Sequence, residues 1–492
     1  MRRTKVVCTM GPRENDDLVL NELVKEMDVA RFNFSHGTHE SHLAMLQRVR
    51  KAADAAGRPI ACLLDTKGPE IRTGLLDAPV EIVKGNTVTV YYGKEKTTAD
   101  RIAVNYRGIA KDVEAGAMIL IDDGLIALEV EEVKGKEVLC KVLSGGRLGA
   151  RKGVNIPDSA NGLPGVTKQD IADIEFGIEN GFDYIAASFV RNAATVRKIR
   201  KMIRDRGAST KIIAKIESQE GIDNLDEIIA VSDGIMVARG DLGVEVDAKK
   251  IPELQREMIS KCNAQGKLVI TATQMLDSMI RNPRPTRAEV TDVANAVYEG
   301  SDAIMLSGET ASGEYPVEAL KMMVSIAEYT EQFAYGERDF STSTAGAEFA
   351  AWIQSAAHIQ QALKAHKATR AERIAETTCR AAVAAADELD AAALIAPTIT
   401  GTTALLLSKY RPEPVIYALS PDPQVVRQMM LYWGVQPLLA EWSASTDEMI
   451  AKSIAELRRK RLLHRGDVCV LTAGAVSEGD AAKTNMLRVI EV

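Results

Sequence analysis

Eight short apolar runs, each followed by a stretch of helical character, recur between residues 5 and 308. They are KVVCTM (5–10), VARFNF (29–34), IACLLD (60–65), YIAASFV (184–190), KIIAKIE (211–217), GIMVAR (234–239), KLVITAT (267–273) and AIMLSG (303–308). Strands that alternate with helices build parallel βαβ units, because a parallel partner is reached only through a long crossover. Eight such units fit a closed (β/α)8 barrel. A doubly wound open sheet is the alternative.

The spacing breaks once, between the third and fourth runs. Residues 74–153 contain VEIVKGNTVTVYYG and ILIDDGLIALEVEEVKGKEVLCKVL, where alternation, β-branched residues and Gly-containing turns predict an inserted antiparallel β domain. Its flanks, KGPEIRTG and ARKGVNIP, carry the Gly and Pro of hinges, so the insert reads as a mobile lid or as a static decoration. Beyond residue 341 the composition shifts again. An Ala-rich stretch over 342–370, with no evident role, precedes strand-like runs that predict an open α/β domain over 342–492. The expected division is therefore 1–73 with 154–341 as the barrel, 74–153 as the lid and 342–492 as the third domain; 492 residues exceed what one core accommodates.

Composition excludes several classes. With 46% hydrophobic and 26% charged residues and a net charge of -7, the chain suits neither general nucleic-acid binding nor a membrane. The start, MRRTK, runs directly into a strand, which points to a cytoplasmic protein without a signal peptide. Six dispersed cysteines form no CxxC pair and read as buried reduced thiols, and the six histidines have no metal-ligand spacing.

Chemistry in a (β/α)8 barrel sits at the C-terminal ends of the strands. Every run but the first ends in polar groups: Arg31, Asn33, Ser35 and His36; Asp65 and Thr66; Ser188; Lys215 and Glu217; Arg239 and Asp241; Thr273; Ser307. Any one of these is more often a solvated loop residue or a cap. Their convergence at one mouth is what that reading leaves unexplained. Lys215 and Glu217 interrupt a core strand two residues apart, so alternation sends both to one face, pointing the same way rather than pairing tightly. Glu217 and Asp241, on adjacent strands, are hard oxygen ligands of the kind that hold Mg2+ together with phosphate oxygens. Lys215 and Arg31 beside them suit a multiply charged phosphoryl group.

The longer stretches RFNFSHGTHESH, LLDTKGPEIRTG, AKIESQEG, MVARGDLGVE, TATQMLDSMIRNPRPTRAEVTDVANAV and AIMLSGETASGEYPVEAL, in this order, resemble pyruvate kinase. The resemblance implies transfer of the phosphoryl group of phosphoenolpyruvate to ADP, giving pyruvate and ATP in the last step of glycolysis. It also implies a (β/α)8 barrel with an inserted small β-barrel lid domain and a C-terminal α/β regulatory domain, and a homotetramer that uses Mg2+ (or Mn2+) and K+. By residue, it implies that Lys215 stabilises the transition state and that Glu217 and Asp241 bind Mg2+. Arg31, Lys215, Gly240, Asp241 and Thr273 would contact phosphoenolpyruvate, and Thr273 with Ser307 would serve enolate protonation. Arg72, Lys152 and His36 would face the nucleotide, and Asn33, Ser35, Asp65 and Thr66 would bind K+. Glu70 goes with K+ dependence, since K+-independent relatives carry lysine there. Thr398, Thr400, Gly401, Thr402 and Thr403 match the family's loop for a phosphorylated allosteric effector. Its expected second contact, in AGAVSEGDAAKTN (473–485), holds only Lys483 as a cation, so a purely structural loop is the alternative. Two other readings of the whole chain are a Schiff-base barrel aldolase acting through Lys215 and a catalytically silent phosphometabolite sensor.

Overall fold

A computed structural model of the chain describes residues 2–157, 162–334, 369–443, 445–474 and 484–492. Three strands come first: β1 (Lys5–Met10), β2 (Val29–Asn33) and β3 (Ala61–Asp65). The inserted segment follows with β4 (Ile71–Arg72), β5 (Val80–Ile82), β6 (Thr87–Tyr92), β7 (Arg101–Val104), β8 (Met118–Ile121), β9 (Ile126–Lys134), β10 (Glu137–Ser144), β11 (Gly146–Leu148) and β12 (Gly153–Asn155). Then come β13 (Tyr184–Ala187), β14 (Lys211–Ile216), β15 (Gly234–Ala238), β16 (Leu268–Ala272) and β17 (Ala303–Leu306).

Strands β1, β17, β16, β15, β14, β13, β3 and β2 pair in that cyclic order, all parallel, and close a barrel. The open-sheet alternative is thereby excluded. The reason lies in residues buried on both faces of each strand. Val7, Val29, Leu63, Ile213, Met236, Ile270 and Met305 fill one core cluster. Their neighbours Val6, Ala30, Leu64, Ile212, Ile235, Val269 and Ile304 belong to separate clusters shared with the surrounding helices. Several βα turns end in a Thr capping box, as Thr38 does for the helix His39–Ala56 and Thr286 for Arg287–Tyr298, satisfying the first free amides.

The insert is a seven-stranded sheet in the order β4-β12-β8-β9-β10-β6-β7, with β5 and β11 paired beside it. Thr73, next to β4, bridges Val104 of β7, and Gly74 N donates to Ala103 O at 2.8 Å. The two edge strands therefore meet and the sheet curls shut, which leaves little open edge.

The C-terminal domain contains the helix Arg370–Glu388, then β18 (Ala393–Pro397), β19 (Val415–Ser420), β20 (Val435–Leu439), β21 (Val468–Ala473) and β22 (Met486–Glu491), in the sheet order β20-β19-β18-β21-β22. It seats on the barrel's N-terminal side through Arg411, which is 1% exposed and lies 2.7 Å from Asp302 Oδ1 and 2.9 Å from Asn263 Oδ1, under Trp433. The 341/342 boundary, residues 342–368 of the Ala-rich stretch, and Glu478, Asp480 and Lys483 of the second effector loop lie outside the described residues. All six cysteines are free and buried. Among the described residues no helix is long and apolar enough to cross a membrane.

Candidate active site

The C-terminal ends of the barrel strands carry a connected network of charge. Asp65, the last residue of β3, is 1% exposed. Its Oδ2 takes Arg31 Nε at 2.7 Å, from β2, and its Oδ1 lies 3.1 Å from Lys215 Nζ, from β14. One carboxylate thus holds two cations side by side. Burial opposes ionisation of Asp65, but Lys215 and Arg31 overcome it and keep the carboxyl below its usual range. Burial likewise works against the Lys215 ammonium, and the Asp65 and Glu217 carboxylates outweigh it, holding the lysine above its usual range.

Lys215 Nζ also lies 2.9 Å from Glu217 Oε1, so the two do pair, contrary to the expectation from strand alternation. The reason is local. β14 ends at Ile216, and Glu217 lies past the last pleat, where the period of two no longer dictates direction. Phe189 N donates to Glu217 Oε2, fixing the carboxylate from the neighbouring loop. Burial raises the Glu217 carboxyl above its usual range; Lys215 pulls it down and Asp241 adds to the rise.

Thr9 and Phe189 escaped the reading of strand ends, and Ser188 was read there without its partners. Thr9 brings β1 into the site after all: its hydroxyl accepts from Arg31 Nη1 at 2.9 Å and donates to Leu306 O at 2.8 Å. A single hydroxyl inside an apolar run carries no signal of that kind. Ser188 Oγ accepts from Lys215 Nζ at 2.7 Å and donates to Thr66 O at 2.6 Å. Its place at a strand end was visible, its partners were not. Phe189, at φ +52°, contributes a backbone amide that no side-chain pattern announces.

The oxygens read as a monovalent-cation site lie around this network. Phe34 N donates to Asp65 O at 2.9 Å, bringing the Asn33–Ser35 turn against β3, and Asn33 Oδ1 accepts from Ser35 N at 3.1 Å. Thr66 follows Asp65 directly and is tied to Ser188. Across the mouth, Gly240 N donates to Thr273 Oγ1 at 2.8 Å, which joins the ends of β15 and β16. Ser307 Oγ, at the end of β17, is buried with no hydrogen bond, while its backbone N donates to Glu309 Oε2 at 2.7 Å.

A cleft of about 820 Å³ opens between barrel and insert and is lined by His36, Arg72, Lys152 and Asp241 among others. Arg72 forms a two-point pair with Glu70 (2.7 and 3.0 Å), and Lys152 Nζ lies 2.9 Å from Asp122 Oδ1. Both of these cations are thus paired with carboxylates. The lining includes neither Lys215 and Arg31 of the charged network nor Thr273 and Ser307 across the mouth.

The donor set suits an open divalent-cation site. Glu217 Oε1 is buried and has an ion pair but no aligned hydrogen bond, and Asp241, at the start of the helix Arg239–Glu245, is exposed to the cleft. Among the described residues no three His, Cys, Asp or Glu side chains group to enclose a metal. Two carboxylates with the remaining positions left to water and substrate oxygens is how Mg2+ is ordinarily bound.

The threonine loop lies apart from this site, after β18. Gly401 adopts φ +79° with its N–H on Thr398 Oγ1 at 3.0 Å. Thr400 and Thr402 hydroxyls meet at 2.9 Å, and Thr403 Oγ1 pairs with Thr484 Oγ1 at 2.7 Å.

The family described as "Pyruvate kinase, barrel domain" matches residues 1–320, and that described as "Pyruvate kinase, alpha/beta domain" matches residues 376–490. The chain is 45% identical to the pyruvate kinase of Bacillus licheniformis over 100% of its own length and 81% of that protein. It is 45% identical to that of Geobacillus stearothermophilus, and 43% to that of Staphylococcus aureus, each over 99% of this chain and 80% of the relative. With a closed parallel barrel, an Arg–Asp–Lys–Glu network at its mouth and these matches along its length, the chain belongs to the pyruvate kinase family.

Proposed function

We propose the following division of roles for the reaction of that family, transfer of the phosphoryl group of phosphoenolpyruvate to ADP. The observation that carries it is Asp65 holding Arg31 and Lys215 together, with Glu217 beside them. Arg31 and Lys215 present two fixed cations to the phosphoryl oxygens. Because Asp65 has already overcome their mutual repulsion, no reorganisation is needed as negative charge moves from the donor to the acceptor oxygen. Glu217 and Asp241 would hold Mg2+ (or Mn2+), which when bound supplies further neutralisation of the transferring group. Gly240 and Asp241 orient the substrate carboxylate. Thr273, with Ser307 behind it, conveys a proton to the enolate carbon after phosphoryl transfer.

Arg72, Lys152 and His36 receive the nucleotide phosphates by exchanging Glu70 and Asp122 for them, with residues 74–153 acting as the lid. Asn33, Ser35, Asp65 and Thr66 offer amide, hydroxyl, carboxylate and carbonyl oxygens to K+. The loop Thr398, Thr400, Gly401, Thr402 and Thr403, in the 342–492 domain, is a candidate site for a phosphorylated effector. We take the enzyme to be a cytoplasmic homotetramer, on the family resemblance.

The aldolase reading requires a lysine that loses its proton readily, and Asp65 and Glu217 work against that. The silent-sensor reading would tolerate loss of Lys215 or Glu217, and both are in place. A lactate-dehydrogenase-coupled assay with phosphoenolpyruvate, ADP, Mg2+ and K+ tests the assignment. Pyruvate formation dependent on all four is expected; none above background would leave the sensor.

A further inference from the structure

Two consecutive residues after β16 adopt the left-handed backbone region, Thr273 at φ +67° and Gln274 at φ +56°. A β-branched residue is rarely found there, and it persists only where its surroundings hold it. Arg239, which follows β15, provides the hold. Its Nη2 donates to Thr273 O at 2.6 Å and its Nε to Ala272 O at 3.2 Å, so one planar fork grips two successive carbonyls. The same guanidinium is anchored from behind by Asp292 Oδ1 at 2.7 Å and Gln255 Oε1 at 3.4 Å, and it lies 2.8 Å from Met275 Sδ. Its side chain is only 9% exposed.

The next residue acts on the other half of Thr273. Gly240 N donates to Thr273 Oγ1 at 2.8 Å, while that hydroxyl donates to Ala272 O at 2.6 Å. Arg239 therefore fixes the Thr273–Gln274 peptide, and Gly240 fixes the Thr273 hydroxyl. Both belong to the turn that supplies Asp241.

We infer that Arg239 is a positioning residue for enolate protonation. It holds the Thr273–Gln274 peptide in the left-handed turn and so aims the Thr273 hydroxyl at the substrate side of Gly240. It touches no substrate itself, and the inference rests on the proposed place of Thr273 in that subsite. A merely structural arginine would, on removal, lower stability and slow every step alike. A positioning arginine acts first on the proton step, because a small misplacement of a proton-carrying group costs up to about a hundredfold in rate.

The proton step can be read alone, run backwards, as exchange of pyruvate methyl protons with 2H2O in the presence of Mg2+, K+ and ATP, followed by NMR. Arg239→Met is expected to slow this exchange by about tenfold or more, with the KM for phosphoenolpyruvate changed by less than about threefold. Gln274→Gly, placed in the Arg239→Met background, should recover a large part of the loss, because glycine accepts positive φ without strain. Where Arg239→Met does not fold, Arg239→Lys, which keeps a charge for Asp292 but reaches a single carbonyl, carries the same comparison. The inference is overturned if a folded Arg239 variant exchanges protons at the unmodified rate, or if Gln274→Gly brings no recovery. Thr273→Ala separates the two layers. If it leaves exchange unchanged, the role of Thr273 itself falls; if it slows exchange and the Arg239 variants do not, only the positioning role does.

Discussion

Lys215 Nζ lies 2.9 Å from Glu217 Oε1, and both groups are nearly inaccessible to water. An isolated charge at that depth is costly, and each of these is tolerated because the other, with Asp65 and Arg31, completes a four-member network. The network fixes two cations side by side at the mouth, their charge balanced by two carboxylates.

Removing Lys215 should therefore disable phosphoryl transfer rather than binding alone. For Lys215→Met we expect kcat to fall by about 10³-fold or more, the scale seen when a fixed cation is withdrawn from a developing phosphoryl charge. The coupled assay measures it, with circular dichroism as a check on folding. A folded variant working at the unmodified speed would contradict the assignment of roles.

Ser188 offers a finer test. Its hydroxyl accepts from Lys215 Nζ and donates to Thr66 O. Ser188→Ala removes one of the three groups that hold the lysine, leaving Asp65 and Glu217, and releases a carbonyl proposed as a K+ ligand. A fall in kcat of about tenfold is expected, together with a higher K+ concentration for half-activation. An unaltered K+ response would detach Ser188 from the monovalent site.

Much of this was legible in the letters, for physical reasons that differ by element. The barrel strands stand within a few residues of their expected ends, because buried parallel strands are continuous apolar runs that polar residues terminate. The same contrast exposed Asp65, Lys215, Glu217 and Asp241. What stayed hidden depends on three-dimensional direction. Thr9 has one hydroxyl in a run of six buried residues, and only the closure of β1 against β2 turns it toward Arg31. The left-handed Thr273 could not be foreseen, since nothing in a β-branched side chain favours that backbone. The two-residue strand β4 lay inside a segment read as a hinge, and its pairing is set by distant residues of β12.

Stability should respond to pH through Lys5. This residue of β1 is 4% exposed and its Nζ donates to Val435 O at 2.7 Å, joining barrel to C-terminal domain. Burial lowers its pKa to about 8, against the raising effect of Asp28. Between about pH 8 and the unfolded value of 10.5 the unfolded chain binds the extra proton, so stability contributed at this residue rises with pH across that window. Below it the charged lysine is a constant penalty. The melting temperature of the unmodified protein minus that of Lys5→Met should therefore increase from pH 8 to 10. A flat difference would show that Lys5 keeps its ordinary pKa in the folded state.

The last test concerns Glu70. Its carboxylate receives both arms of Arg72 and lies 3.9 Å from Lys67, at the edge of the cleft between barrel and insert. In the proposed scheme K+ supplies a positive charge beside Asp65 and Thr66, and an ammonium at position 70 would supply the same charge covalently. Glu70→Lys should then retain activity in K+-free buffer and respond little to added K+, while the unmodified enzyme loses most of its rate without it. The substitution also takes the partner from Arg72 and sets a like charge near it, so the KM for ADP should shift several-fold, an effect of charge rather than of the monovalent ion. Rates measured with tetramethylammonium chloride holding the ionic strength separate the two. Full activity of the unmodified enzyme with neither K+ nor Na+ present would remove the monovalent site from the scheme and leave Asp65, with Thr66 acting through Ser188, as a support of Arg31 and Lys215 alone.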